Sequence, residues 1–320
     1  MNKRTINIPL GIEKNVPMKD LTTFKIGGEA GYFYTAKDVR GLKEAVLWVK
    51  EKKLPFFVLG NGSNLLVSDK GFKGLVIKIE AKNVTLKNNL ISAEAGALLI
   101  QLVTLALENS LTGFEWMAGI PGSVGGSING NAGAFGDYMA DSVKSVKALN
   151  VSNMEIKTIG RSECGFGHKK SIFKENKNLI ILSAEFALKK GDTREIKEKM
   201  TDHLIFRRIR HPKEPSAGSI FKNIEAENLK PDFFKKVPEA GSIMKNNILP
   251  AGFFIEKSGL KGRESGGAKV SEKHSNFIVN FDNAKAKDIV KLIGLIKKEV
   301  NKKFGIKLEE EIQYLGFLSY

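Results

Sequence analysis

Seven glycines lie within residues 115–136, EWMAGIPGSVGGSINGNAGAFG, and this density constrains the fold more than any other feature of the chain. Each glycine adds backbone entropy that folding must remove, so such a segment needs a compensating reason inside a folded domain. Trp116, Met117, Ile120 and Phe135 favour burial over a flexible linker. The segment predicts neither a helix nor a strand with an apolar face. It predicts a buried backbone cradle whose N–H groups can bind phosphate or another anion.

A second glycine turn, GNGSN at residues 60–64, directly follows the apolar run at residues 56–59. A strand that enters a tight glycine turn is the context in which a phosphate-binding loop is expected. Asn-Gly also forms ordinary hairpin turns, so this motif alone is weak evidence. Neither loop contains the G-x-G-x-x-G fingerprint of a dinucleotide-binding Rossmann fold.

Hydrophobic periodicity and turn residues predict a mixture of helices and strands. The predicted helices cover residues 39–52, 98–111, 192–210 and 250–259, and another helix is expected to be capped by Asn283. Two of them are expected to bury an apolar stripe: Leu42, Ala45, Val46 and Val49 in the first, and Ile289, Leu292, Ile293, Ile296 and Val300 in the last. The predicted strands cover residues 56–59, 75–79, 84–86, 90–94, 143–151, 155–159, 179–188, 274–280 and 307–316. The helix at 98–111 carries almost no charge, so burial on more than one face is expected. Residues 224–249 are expected to be irregular, and a domain boundary is placed just before His211. The pattern indicates α+β domains rather than one doubly wound sheet.

The formal net charge of +16 raises the possibility of a nucleic-acid-binding protein. Only 8 of the 51 basic residues are arginines, whereas proteins that recognise bases and phosphate backbones favour arginine forks and interleaved aromatic residues. The lysines are spread over predicted helix faces and turns, which favours a solvated lysine-rich surface. Such a surface would attract anionic substrates without specificity.

Cysteine and histidine usage makes a disulfide framework and a zinc site poor interpretations of this chain. Cys164 is the single cysteine, and the four histidines are scattered, so no metal is expected. We find neither a secretory signal pattern nor an apolar run of membrane-spanning length. The sequence therefore predicts a cytoplasmic protein without a membrane or nucleic-acid partner. A monomer is the default expectation, since no zipper pattern is evident.

Six motifs, in order along nearly the whole chain, resemble those of the UDP-N-acetylenolpyruvoylglucosamine reductase family. They are TTFKIGG (22–28), LGNGSNLLVSD (59–69), AGIPGSVGGSINGNAGAFG (118–136), PSAGSIFKN (215–223), GLKG (259–262) and HSNFIVN (274–280). The resemblance implies an FAD-binding fold of the vanillyl-alcohol-oxidase type in two subdomains, expected at residues 1–73 and 74–208. An α+β substrate-binding domain is expected at residues 209–320.

The resemblance also implies a reaction in bacterial peptidoglycan precursor synthesis. NADPH first reduces FAD, and the enolpyruvyl ether of UDP-N-acetylglucosamine is then reduced to UDP-N-acetylmuramate. The implied FAD contacts are Gly60, Asn61, Gly62, Ser63, Asn64, Leu65, Pro121, Gly122, Ser123, Gly126, Asn129 and Gly133. Candidate contacts to the UDP-sugar substrate are Lys222, Asn223, Lys245 and Lys261, whose charge or amide suits a diphosphate and uracil. Each of these four could equally be a solvated surface residue.

Two further residues match catalytic positions of the family. Ser219, in SAGSIFK, matches the proton donor. A serine hydroxyl is a poor acid, so it can protonate only a strongly basic carbanion, and its own anion must be stabilised. Glu311, in EIQYLG, matches a carboxylate that helps develop enol character at the substrate carboxyl group. Glu309 and Glu310 lie beside it on a predicted strand with alternating faces, and the spacing to Gly316 selects Glu311.

The third catalytic position departs from the family pattern of Tyr-Arg, one further residue and Ser-Ile-Phe-Lys. Here the stretch is GHKKSIFK, with His168 and Lys169 at the Tyr-Arg positions. Lys169 keeps the cation that stabilises negative charge near the flavin and the substrate carboxylate, but it lacks the two-pronged arginine donor. We expect retained function with altered geometry. Weakened activity, or a shifted alignment in which Lys170 takes the role, is the alternative. His168 is interpreted as an aromatic replacement rather than an acid–base residue.

Two other functions remain open at this point. A flavin oxidase of the same FAD fold would use oxygen instead of NADPH, and the pair Ser219 and Glu311 argues against it. A basic nucleic-acid-binding protein is conceivable from charge alone, but it should carry no yellow chromophore.

Overall fold

The structure is a computed structural model that describes residues 10–230 and 232–317. The α-helices are α1 Val39–Glu51, α2 Leu99–Glu108, α3 Val124–Asn129, α4 Met139–Ser142, α5 Ile172–Glu175, α6 Thr193–Arg210, α7 Phe233–Lys236, α8 Glu239–Ile243, α9 Ala251–Lys257 and α10 Ala286–Phe304. Short 3-10 helices cover Met18–Leu21, Glu115–Met117, Arg161–Glu163 and Ala226–Asn228.

The strands are β1 Glu13–Pro17, β2 Glu29–Ala36, β3 Phe56–Leu59, β4 Leu65–Val67, β5 Phe72–Ile79, β6 Val84–Lys87, β7 Leu90–Glu94, β8 Leu111–Thr112, β9 Gly133–Ala134, β10 Asp137–Tyr138, β11 Val143–Asn150, β12 Glu155–Gly160, β13 Leu179–Ala187, β14 Lys189–Lys190, β15 Ile224–Glu225, β16 Ile248–Leu249, β17 Glu264–Ser265, β18 Ala268–Val270, β19 Ile278–Asn280 and β20 Gln313–Leu315. The mixture agrees with the predicted α+β class.

The chain divides into two compact units that interleave in sequence. The first unit comprises Ala30–Gly62 and Lys73–Ile209, together with residues up to Val16. The second unit comprises Pro17–Glu29, Ser63–Phe72 and Arg210–Tyr320. The further division of the first 208 residues at residue 73 stays a prediction.

Two sheets form the framework of the first unit. One has the strand order β1-β2-β5-β3, with β3 and β5 parallel, and the other has the order β12-β11-β13-β7-β6 with antiparallel pairing. Helix α1 packs its apolar stripe onto the core of this unit. The predicted stripe is confirmed, since Leu42, Ala45, Val46 and Val49 are all buried. The Asp38 carboxylate caps this helix by accepting a hydrogen bond from the Gly41 amide at 2.8 Å.

Helix α2 is shorter and more one-sided than predicted. It ends at Glu108, and its buried residues Leu99, Leu102, Val103 and Ala106 lie at helical spacing. Ile100 is 51% exposed, so the expectation of burial on more than one face is wrong. The scarcity of charged residues in α2 is therefore compatible with one solvent-exposed face.

The glycine-rich segment contains regular structure, which corrects the prediction that no helix passes through it. A 3-10 turn, helix α3 and strand β9 lie within residues 115–136. Ser123 caps α3 through its hydroxyl, 3.4 Å from the Gly126 amide. A Cβ at Gly125 would lie 2.9 Å from the Ala95 Cβ, so α3 packs through glycine backbone. Hydrophobic periodicity cannot reveal a helix whose contact face consists of such glycines.

The second unit packs several small sheets with α9 and α10. Its sheets are the antiparallel β17-β18-β19, the pair β15-β16, and the parallel pair β4-β20. The predicted apolar stripe of α10 is confirmed, since Ile289, Leu292, Ile293, Ile296 and Val300 are buried. Short elements replace the irregular structure expected over residues 224–249.

The start of α10 corrects a second prediction. Lys285, not Asn283, occupies the N-cap position. The Asp69 carboxylate, more than 200 residues away in sequence, accepts hydrogen bonds from the amides of Ala286 at 2.8 Å and Lys287 at 3.2 Å. A carboxylate at the positive end of the helix is stabilising, and no local pattern reveals this cap.

Other predicted boundaries hold or contract. Asp192 starts α6 as predicted by accepting from the amides of Arg194 and Glu195 at 2.8 and 3.3 Å. The strands expected at 274–280 and 307–316 contract to β19 and β20. Across residues 10–230 and 232–317, no helix combines the length and apolar character required to cross a membrane.

Candidate active site

Within the first unit, the two glycine loops meet. The side-chain amide of Asn61 donates to the carbonyl oxygen of Pro121 over 2.9 Å. A Cβ at Gly60 would lie 2.5 Å from the Ser123 Oγ, so a larger residue would displace the hydroxyl that caps α3. The loops predicted separately from sequence therefore form one backbone cradle.

Fewer backbone N–H groups of this cradle are available to an anion than the sequence suggests, because several of them bond to protein carbonyl oxygens. The amides of Gly122, Val124 and Gly125 donate to the carbonyl oxygens of Ile120, Ala97 and Ala95 at 2.8–2.9 Å. In the described part of the chain, by contrast, the amides of Asn61 and Gly62 have no protein acceptor. The turn after β3 therefore offers N–H groups to an anion, and so does the Ser123 amide before α3, which also has no acceptor in the described part of the chain.

Asn129 and Gly133 serve the packing around this cradle. The carbonyl oxygen of Asn129 accepts a hydrogen bond from the buried Ser171 hydroxyl at 2.7 Å. A Cβ at Gly133 would lie 2.3 Å from the Tyr138 ring, which again excludes a larger residue. Their predicted contact with FAD stays a prediction.

Within the second unit, Ser219 lies in an extended segment held on both sides. On one side, Ser219 forms an isolated antiparallel bridge with Phe277, and the Ile220 amide donates to the Asn276 carbonyl oxygen at 2.8 Å. On the other side, Phe221 is bridged to Glu310. Gly218, immediately before Ser219, has a φ of 76°, which favours glycine. This framework holds the half-buried Ser219 in a defined backbone position.

The same framework brings Glu311 beside the Ser219 segment. The Glu311 amide donates to the Ile220 carbonyl oxygen over 2.7 Å. The Asn64 side chain donates to the Glu311 carbonyl oxygen, and the Gln313 amide donates to the Asn64 carbonyl oxygen at 2.9 Å. Ser219 and Glu311, which are 92 residues apart in sequence, thus lie on neighbouring extended segments.

The two glutamates next to Glu311 have other partners. Glu309 forms an ion pair with Lys222 at 2.9 Å, and this interaction lowers the pKa of Glu309. Glu310 forms an ion pair of the same length with Lys297 on α10. The choice of Glu311, made from the spacing to Gly316, stays a prediction.

The predicted substrate-contact residues all lie in the second unit. Lys261 pairs with Glu256 at 2.8 Å. Asn223 is exposed and accepts a hydrogen bond from the Ala251 amide at 3.2 Å through its side chain. Lys245 is exposed in the turn before β16. Together with Lys222, they stay predictions as substrate contacts.

Lys169 occupies a tight turn in the first unit. The amides of Gly167 and Lys170 each donate to the other's carbonyl oxygen, and Lys169 has a φ of 56°, which is uncommon for a residue other than glycine. Its carbonyl oxygen accepts from the Lys174 Nζ at 2.9 Å. Lys170 is paired with Glu175 and exposed, whereas Lys169 is half-buried. The assignment of Lys169, rather than Lys170, to the cationic position stays a prediction.

Sequence reasoning missed His274 and Asn276, although both lie in the motif HSNFIVN. His274 packs against Phe277 and His211, with ring centroids 4.8 and 5.8 Å away. Burial lowers the pKa of His274, and the charges of Lys261 and Arg210 lower it further. The Asn276 amide donates to His274 Nδ1 at 3.2 Å, so the neutral ring carries its proton on Nε2.

Comparison with known proteins gives the family. Residues 210–315 match the model described as UDP-N-acetylenolpyruvoylglucosamine reductase, C-terminal domain, and residues 30–160 match an FAD-binding domain. A UDP-N-acetylenolpyruvoylglucosamine reductase of Caldanaerobacter subterraneus is 42% identical over 94% of this chain and 93% of its own length. The chain belongs to the UDP-N-acetylenolpyruvoylglucosamine reductase family.

Other members of this reductase family agree. The reductase of Alkaliphilus oremlandii is also 42% identical, over 94% of this chain and 92% of its own. The crystal structure of the reductase from Thermus caldophilus superposes with a TM-score of 0.77 at 33% identity, covering 95% of this chain and 98% of that one. The predicted FAD-binding fold followed by a C-terminal α+β domain is therefore confirmed.

The first unit fits the FAD that this family uses. A Cβ at Gly60 would enter the space beside the Ser123 Oγ, and the amides of Asn61 and Gly62 donate to no acceptor within residues 10–230 and 232–317. Such amides suit pyrophosphate oxygens. The residues present therefore match the cofactor of the FAD-binding domain.

Proposed function

We propose that this protein uses NADPH and bound FAD to reduce UDP-N-acetylglucosamine enolpyruvate to UDP-N-acetylmuramate. Relatives 42% identical over more than nine-tenths of their length carry the name of this reductase. The single observation that carries the proposal is the backbone framework that places Ser219 next to Glu311. A flavin oxidase would need no such pair of proton donor and carboxylate.

The chemistry supplied by bound FAD is hydride transfer, from NADPH and then to the enol-ether carbon distal to the ring oxygen. Ser219 gives its hydroxyl proton to the adjacent, carboxylate-bearing carbon. The hydride and the proton together convert the carbon–carbon double bond to a single bond. The Ser219 alkoxide then recovers a proton from water. Positioned proton donors of this kind contribute roughly 10²–10⁴ in rate.

Glu311 assists this step at the substrate carboxyl group, directly or through water. As negative charge develops on the carboxylate-bearing carbon, it spreads onto that carboxyl group and gives it enol character. Lys169 supplies the positive charge that the family draws from arginine at this position, but as a point charge without the planar fork. Function is therefore retained with a different geometry of charge stabilisation.

Binding follows from the same assignments. The turn containing Gly60, Asn61 and Gly62 binds the FAD pyrophosphate through backbone amides. Lys222, Asn223, Lys245 and Lys261 bind the diphosphate and uracil of the UDP-sugar, and the net charge of +16 attracts this anionic substrate. A monomer in the cytoplasm, without nucleic-acid partners, completes the proposal.

The test is the visible absorption spectrum of the purified protein under anaerobic conditions. We expect an oxidised-flavin spectrum that NADPH bleaches and that UDP-N-acetylglucosamine enolpyruvate restores. Restoration by oxygen alone would instead support the flavin oxidase. A colourless protein that takes up no added FAD and copurifies with nucleic acid would contradict the proposal outright.

A further inference from the structure

Asn276, which has no role in the proposed reaction so far, makes three hydrogen bonds to the segment that carries Ser219. Its side-chain oxygen accepts from the Phe221 amide at 3.0 Å, and its side-chain nitrogen donates to the Phe221 carbonyl oxygen at 2.8 Å. Its backbone carbonyl oxygen accepts from the Ile220 amide at 2.8 Å. Asn276 is 3% exposed, and the oxygen and the nitrogen of its side-chain amide both bond to Phe221.

This arrangement replaces a strand partner with a side chain. Where an antiparallel neighbour would offer an N–H and a C=O, the Asn276 amide offers both to one residue. The two groups must be satisfied because Phe221 is buried, and an unpaired buried backbone group costs about 1–3 kcal/mol. The position of Phe221, two residues after Ser219, is therefore tied to Asn276.

Asn276 also joins this segment to His274. Its backbone amide donates to His274 Nδ1 at 3.2 Å, while Phe277 next to it forms the bridge with Ser219. One residue thus connects the imidazole, the Ser219 segment and the strand that leads into β19. None of these hydrogen bonds requires the Asn276 side chain to touch a reacting atom.

We propose that Asn276 is a positioning residue that holds the Ser219 hydroxyl where it can deliver its proton. The inference rests on the proposed reductase function. Small displacements of a reacting group cost large factors in rate, on the order of 10²-fold for about 1 Å. Reduction of the flavin by NADPH does not use the Ser219 proton, so only the second half-reaction depends on this placement.

The test is the Asn276→Asp variant, which keeps the size and one acceptor but loses the donor to Phe221. We expect reoxidation of the reduced flavin by UDP-N-acetylglucosamine enolpyruvate to slow by at least about tenfold. Reduction by NADPH should stay within about twofold of wild type, and this retained half-reaction also shows that the variant folds. Equal slowing of both half-reactions, or of neither, would overturn the inference.

A pH profile separates positioning from a general loss of stability. When the introduced carboxyl is protonated, it again offers one donor and one acceptor, as the asparagine amide does. Burial raises the pKa of such a carboxyl, so lowering the pH from 8 to 5.5 should raise the ratio of the variant's reoxidation rate to that of wild type. A flat ratio would contradict the role of the lost donor.

Asn280→Asp is the matched control, four residues further along the chain at the end of β19. The Asn280 side chain also donates to a carbonyl oxygen, that of Phe24 at 3.2 Å, and accepts from the Ala284 amide at 2.8 Å. This variant should leave both half-reactions within about twofold and the pH ratio flat, because its bonds do not reach Phe221.

Hydrogen exchange supplies a readout without substrate or turnover. The Phe221 amide should exchange faster in Asn276→Ala, which removes the oxygen that accepts its proton, than in wild type, and unchanged exchange would contradict the structural link itself. If the wild-type flavin is not restored by the enol ether at all, the proposed function fails and the positioning role falls with it. If wild type reacts and the variant shows no selective loss, only the inference fails.

Discussion

The side-chain amide of Asn64 donates a hydrogen bond to the backbone carbonyl oxygen of Glu311, with the two atoms 3.2 Å apart. These residues lie 247 positions apart in sequence. The bond extends the parallel pairing of β4 and β20, in which Leu65 faces Gln313. Asn64, which the resemblance assigned to FAD, therefore uses its side-chain donor to hold the backbone of Glu311, the proposed catalytic carboxylate, just before β20.

Asn64→Ala should lower the free energy of unfolding by about 1 kcal/mol, the usual net value of one hydrogen bond. It should also slow flavin reoxidation by the enol ether, because the backbone of Glu311 loses a support. Thermal or urea unfolding and stopped-flow absorbance measure the two effects. Asn89→Ala is the control, since it removes a similar bond, to the Leu188 carbonyl oxygen at 2.7 Å. That variant should lose comparable stability and keep the reoxidation rate.

Glu311→Gln should slow reoxidation by roughly 10²–10⁴-fold while leaving reduction by NADPH nearly unchanged. The amide keeps the size of the side chain but cannot share a proton with the substrate carboxyl group. Glu310→Gln is the matched control, because Glu310 is engaged by Lys297 on α10. Rapid-mixing absorbance of the flavin distinguishes them. A larger loss in Glu310→Gln would show that the assignment is displaced by one residue.

The pattern of the sequence was sufficient for elements with a one-sided apolar face. Helices α1 and α10 and strands β6 and β7 were predicted from periodicity and turn residues, because burial of an apolar face is a local property. Helix α3 was missed because its packing depends on glycine backbone against Ala95. Periodicity records side chains and not the close approach of main chains.

Hydrogen bonds between residues far apart in sequence could not be predicted from local patterns, because the fold brings their partners together. Asp69 caps α10, Asn64 supports Glu311, and Asn276 pairs with Phe221, each across a separation set by the fold. The motifs located Ser219 and Glu311 through family resemblance. They could not indicate which neighbouring polar residues hold them, since a buried asparagine looks like any loop asparagine in sequence.

Gly60→Ala should weaken FAD binding, because the added Cβ would lie 2.5 Å from the Ser123 Oγ. The next nearest atoms are 3.7 Å away, so removing that hydroxyl removes the clash. Gly60→Ala combined with Ser123→Ala should therefore bind FAD more tightly than Gly60→Ala alone. Flavin fluorescence during titration of the apoprotein measures the dissociation constants.

Gly294→Ala is the control for these glycine variants. A Cβ at Gly294 would meet nothing within 4 Å, and the position is interior to α10. Alanine there should leave FAD binding unchanged and raise the free energy of unfolding by about 0.5–1 kcal/mol. If the double variant at Gly60 and Ser123 binds FAD more weakly than Gly60→Ala alone, the clash with the Ser123 hydroxyl is not the cause of the weakened binding.

Lys169→Met should slow the second half-reaction by at least about tenfold, since it removes the cation that stabilises developing negative charge. Lys169→Arg should keep the rate within a few-fold, because it restores the family residue. Lys170→Met should have little effect, as Lys170 is exposed and paired with Glu175 at 3.2 Å. Stopped-flow reoxidation measures all three. A dominant effect at Lys170 would favour the shifted alignment.

The role of Ser219 as proton donor is tested by the two half-reactions of Ser219→Ala, followed anaerobically by flavin absorbance. Removal of the hydroxyl leaves hydride transfer from NADPH possible but removes the proton that completes reduction of the enol ether. We predict bleaching by NADPH at close to the wild-type rate and almost no restoration by UDP-N-acetylglucosamine enolpyruvate. Equal loss of both half-reactions, or full restoration by the enol ether, would contradict the assignment of Ser219 as the proton donor.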